Sequence, residues 1–124
     1  MAKYVSDLIL DNGLAYLKAN GTEEYLCTSQ PGDRAAAIAA AVASKTDLGT
    51  GDFTGPADGS VSGRKMTVNA QAGLTASATG TATHIAICTG TTLLLVTTVT
   101  SQEVTSGNTV NLPAFSEEIR DVTP

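Results

Sequence analysis

The chain has 124 residues, 42% of them hydrophobic, and a formal net charge of −5 with only seven Lys and Arg. That length builds one hydrophobic core rather than two, and so few cations cannot form the clustered basic surface that phosphate binding needs, which argues against a nucleic-acid partner. No apolar run approaches the roughly 20 residues that span a bilayer, and the first residues do not read as a secretory leader, so a single domain made in a cytosol, with no membrane partner, is expected.

A helix is predicted over 5–19, with Ser6 as N-cap, Val5, Leu8, Ile9, Tyr16 and Leu17 at helical spacing, and Asn20 and Gly21 as the stop. Asn12 and Gly13 interrupt it and leave a hairpin turn there as the alternative. Residues 24–29 have strand composition, and the QPGD run at 30–33 forces a turn or a helix entry. The Ala-rich segment 34–45 then predicts a second helix, capped by Asp33 and ending near Leu48 and Gly49, with Ile38 and Val42 as its packing residues. Residues 50–63, dense in Gly, Pro, Asp and Ser, read as a loop that carries one large apolar side chain, Phe53.

From Arg64 onward the chain reads as strand: Met66, Val68 and Ala70 alternate with polar residues, and further apolar runs follow at 74–78, 83–88, 93–100 and 109–120. Gly73, Gly80, Gly90 and Gly107 mark the turns between them, a spacing that predicts an antiparallel β-sandwich or small barrel. Pro113 in the last run fits only a sheet edge or a bulge. The predicted fold is thus mainly β with α elements (α+β): a helical and extended part over 1–49, a loop over 50–63 and an antiparallel β part over 64–124, all in one domain. The stretch 66–102 contains no Asp, Glu, Lys or Arg. Charge is depleted in the cores of protein interfaces and is one device that keeps sheet edges apart, so an uncharged, Thr-rich surface fits packing against neighbours as well as a neutral surface in water.

The chemistry on offer is thin. His84 is the only histidine, at the start of an apolar strand, and no Ser or Cys stands in a nucleophile motif such as Gly-x-Ser-x-Gly. Asp52 and Asp58 lie in a Gly-rich segment where carboxylates could hold a hard cation, but their spacing matches no EF-hand and turn formation accounts for them. Cys27 and Cys88 sit in apolar contexts and are expected as buried free thiols, with a disulfide as the alternative. No enzyme, metal or cofactor is expected. For contacts with a partner the candidates are Phe53, as an apolar anchor, and Arg64 with Lys65, the one basic pair.

The segments DNGLAYLK (11–18), SGRKMTV (62–68), ATGTATHIAI (78–87), LLLVTT (93–98) and VTSGNTVNLPAF (104–115), in that order, resemble small proteins encoded among the virion structural genes of tailed phages of proteobacteria. The likeness runs through nearly the whole chain; Glu117 to Val122 depart from the apolar alternation the group leads one to expect. The resemblance implies a virion component made in the host cytoplasm. In such particles small β-rich domains serve as head decoration proteins, as neck or collar parts, or as fibre bases. The leading expectation is a capsid decoration protein that binds the major capsid protein as a homo-oligomer, a trimer being favoured. A carbohydrate- or host-surface-binding module is the rival from another class, although it lacks the usual stacking aromatics.

Overall fold

The structure, a computed structural model, describes residues 5–121. Helix α1 spans Asp7–Asn20. The Ser6 side chain accepts from the Leu8 N–H at 3.2 Å, and the Gly21 N–H closes the other end on the Leu17 carbonyl at 2.8 Å. The helix runs straight through Asn12 and Gly13, so there is no hairpin. Its buried stripe is Leu10, Leu14 and Leu17 at i, i+4, i+7; Leu8, Ile9 and Tyr16 face outward, so most of the apolar positions that suggested the helix are not the ones that dock it.

Among the described residues nine strands follow it: β1 (Glu23–Cys27), β2 (Ala41–Lys45), β3 (Phe53–Asp58), β4 (Arg64–Val68), β5 (Gln71–Thr75), β6 (Gly80–Cys88), β7 (Leu93–Val104), β8 (Thr109–Leu112) and β9 (Phe115–Ile119). They form a four-stranded sheet in the order β2-β1-β6-β7, a three-stranded sheet β3-β4-β9 and a two-stranded ribbon β5-β8, with every pairing antiparallel. The α+β class, with helices confined to the first half, is as the sequence predicts. All three sheets turn side chains into one core: Leu26, Ile85 and Ile87 from the large sheet meet Phe53, Met66 and Val68 from the second and Val110 and Leu112 from the ribbon, with Leu14 and Leu17 of α1 beside them. The large sheet is covered on its other face too. There Tyr25, Cys27, Ala86 and Cys88 pack under Ala37 of a short helix α2 (Arg34–Ala40).

Three boundaries depart from the sequence-based expectation. The second helix is capped by Asp33, whose side chain accepts from the Ala36 N–H at 2.7 Å, but it stops at Ala40 instead of running to 45. Residues 41–45 are strand β2 because β1 has an open ladder beside them and because Val42 and Ala43 then enter the core; tertiary pairing overrides the helix propensity of Ala. The predicted loop 50–63 holds a 3-10 turn (Thr50–Asp52) and strand β3, with Gly55 and Pro56 at an irregularity on a sheet edge that needs no donor from Pro56. Finally, 109–120 is not one strand. Pro113 breaks it into β8 and β9, which belong to different sheets.

Candidate functional site

The residues expected to meet a partner are engaged within the chain. Phe53 is only 3% exposed and belongs to the main core, so it anchors β3 to its own domain and offers nothing outward. Arg64 donates from Nε to Asp11 Oδ1 and from Nη1 to Asp58 Oδ1, both at 2.7 Å, and so ties α1 to the β3–β4 hairpin. Lys65, the next residue along β4, points to the opposite side and donates to Ser60 Oγ at 3.2 Å. The two cations therefore do not make a basic patch.

Cys27 and Cys88 are free, fully buried thiols in the small cluster under α2. Cys27 lies opposite His84 and Cys88 opposite Glu23, four ladder positions apart, or about 13 Å along the sheet, whereas a disulfide needs Cα atoms within about 7 Å. The disulfide alternative is not what the structure holds. The register does place Cys27 across from His84, a pairing that the sequence reading missed because it depends on how two strands 57 residues apart align. It is not a nucleophile–base pair. The Cys27 Sγ donates to the carbonyls of Ala37 (3.5 Å) and Tyr25 (3.7 Å), and burial, helped by the nearby Cys88, pushes the thiol up to about 11, the reverse of what a reactive thiolate requires. His84 Nδ1 shares a 2.8 Å hydrogen bond with Thr83 Oγ1.

Asp52 and Asp58 sit at opposite ends of β3 and do not converge. Asp52 Oδ2 accepts from the Gly49 N–H (2.8 Å) and Oδ1 from Gln71 Nε2 (2.9 Å), which holds its pKa below the usual carboxylate range. Among the described residues no three His, Cys, Asp or Glu side chains converge as metal ligands, and no helix is long and apolar enough to cross a membrane. One acidic residue does stand out. Glu24 is completely buried, and neither carboxylate oxygen has a hydrogen-bond partner. Burial first, and the negative charge of Asp52 second, push its pKa up to about 7. Glu24 shares the strand parity of Leu26, so the alternation within EEYLC (23–27) was the signal that it faces the core.

What the fold leaves open is one side of the sandwich. β7 is the outer strand of the large sheet, and among the described residues its backbone pairs only with β6. β9 is the outer strand of the second sheet, on the same side. Between them run two grooves. One, of about 210 Å³, lies between α1 and the strands and is lined by Leu14, Leu17, Leu94, Leu95 and Ile119, with Tyr16 and the acidic Glu117 also on its wall. The other, of about 600 Å³, lies under Thr98, Val99 and Thr100 and is floored by Leu112, Pro113 and Phe115. From Leu93 to Gln102 the edge carries no ionisable side chain. Comparison with protein-family models, with curated proteins and with solved structures finds no match for this chain.

Proposed function

We propose that this chain is a non-enzymatic structural subunit of a tailed-phage particle, a head decoration protein that binds the outside of the shell and stabilises it by adding buried area between capsid subunits. The observation that carries the reading is the outer strand β7, uncharged from Leu93 to Gln102, above largely apolar grooves: a long backbone edge with donors and acceptors that no other described residue pairs is a template for another chain, and proteins that must stay alone usually blunt such edges with charge, proline or a covering loop. The assignment to a phage particle rests on the order of motifs from 11 to 115. Repeating a modest contact over many shell positions would give avidity well beyond one site's affinity. The test is the copy number of the chain in purified particles, by quantitative mass spectrometry together with a map of the particle. Hundreds of copies on the head are expected; a dozen or fewer, at the neck or a fibre base, would replace decoration by the neck or collar role, and none at all would remove the virion reading.

A further inference from the structure

The four outer strands of the two larger sheets differ in how well they are protected. The β2 edge is closed: its Val42 carbonyl accepts the Ser77 N–H at 2.8 Å, and Lys45 lies at its end. The β3 edge carries Gly55, Pro56 and Asp58. The β9 edge carries Glu117 and Glu118. The β7 edge has no charge before Glu103 and no proline, and its four residues Leu95 to Thr98 keep a regular ladder with β6 between two irregularities.

We infer that β7 pairs with β7 of a second copy of this chain, antiparallel about a two-fold axis normal to the sheet near Val96 and Thr97, joining two four-stranded sheets into one of eight strands. This rests on the proposed function's reading of that edge as a template for another chain, and it makes the pair, rather than the single chain, the unit that meets the shell. With the axis at Thr97, Leu95 lies opposite Val99 and every other residue lies opposite its mirror position on the second copy; because Leu93 to Gln102 carry no charge, no like charges of a chain of net charge −5 meet along this pairing. Residues opposite one another in an antiparallel pair share a face, so Leu95 and Val99 of each copy lie on the core side, over the other copy's groove between α1, β7 and β9. The same contact thus satisfies the free ladder groups and covers the apolar walls. Closed two-fold pairing also stops at two copies, which is how an otherwise aggregation-prone edge is held finite.

The test is sedimentation equilibrium of the full chain across a wide concentration range, with far-UV circular dichroism and a thermal melt to confirm folding. The wild type is expected to be a dimer. Thr98→Lys with Thr100→Lys, at two exposed positions of β7, is expected to raise the dimer dissociation constant at least about tenfold by placing like charges across the axis, while Thr109→Lys on the exposed face of β8 leaves it unchanged. A second readout is hydrogen exchange: amides of 95–98 should slow as concentration rises. A wild type that stays monomeric, a trimer indifferent to the two lysines, or a dimer whose β7 amides exchange independently of concentration would each overturn the pairing. A monomer abundant on particles sinks this inference and leaves the virion reading standing; a β7 dimer absent from particles does the reverse.

Discussion

The two long sides of the large sheet are built on opposite terms. On the β2 side every device closes the structure: Ser77 ties the ribbon to Val42, α2 lies over Tyr25, Cys27 and Ala86, and Arg34 clamps Glu23 with Nε to Oε1 at 2.8 Å and Nη2 to Oε2 at 3.0 Å. On the β7 side Leu93 to Thr97 are only half-buried, the strand bends at two irregularities, and the neighbouring strand β9 belongs to another sheet. Ala, Tyr and Cys packed under a helix finish the first side, whereas Leu, Val and Thr are left half-covered on the second. The first side is closed, and the proposed pairing would use the second.

Equivalent truncations on the two sides separate these roles most strongly. Leu26→Ala removes a fully buried side chain with core neighbours all round and is expected to cost about 3–4 kcal/mol in urea unfolding. Leu94→Ala, at the half-buried rim of the groove, is expected to cost about 1 kcal/mol, because much of the removed surface already faces solvent. Equal costs would mean that the β7 side is as closed as the β2 side.

Glu24 gives the next largest effect, and its sign is fixed. A carboxyl whose folded pKa is raised from 4.5 to about 7 binds more protons folded than unfolded between those values, so the stability it allows is fully present below about pH 4.5 and is lost as pH rises through 7. A rise of that size corresponds to about 3 kcal/mol at alkaline pH. Glu24→Gln should therefore leave stability near pH 4 almost unchanged and raise it by up to that amount near pH 9, read as the difference between chemical denaturation curves at the two pH values. A variant destabilised near pH 9 but not near pH 4 would show that the ionised carboxylate has a partner.

Much of this was legible in the chain. Caps at Ser6 and Asp33 and the turn at Gly107 act through local backbone chemistry and read directly from short windows, whereas Gly73, read as a turn, lies inside β5, and Pro113, read as an edge or bulge within one strand, ends β8. What was not legible depends on distant pairing. Residues 41–45 become a strand because β1 offers them a ladder, and 53–58 because β4 does, so composition alone assigned both to the wrong state. The candidate contact residues failed for the same reason: Phe53 and Arg64 looked unattached only while their partners in the core and on α1 were out of view. The uncharged stretch 66–102 was visible, and the fold adds which part of it has, among the described residues, no second strand beside it.

Smaller effects test how α1 frames the open side. Arg64→Ala breaks both pairs that hold α1 to the β3–β4 hairpin; with Asp58 largely exposed, the Asp11 contact carries most of the effect, and a loss of about 1–2 kcal/mol is expected, with faster exchange of the α1 amides. Asp58→Ala alone should change stability by less than about 0.5 kcal/mol.

The smallest expected effect is on β7 itself. Thr98→Lys replaces an exposed side chain that makes no side-chain hydrogen bond within the described residues, so the chain kept dilute enough to be monomeric should melt within a few degrees of wild type, a change of about 0.5 kcal/mol or less. The value of so small a number lies in its contrast with association at higher concentration. A side chain that matters little to the folded chain and much to its pairing belongs to an interface, whereas a Thr98→Lys chain that unfolds would assign β7 to the closed core, and the distinction between the two sides would fail at its weakest point.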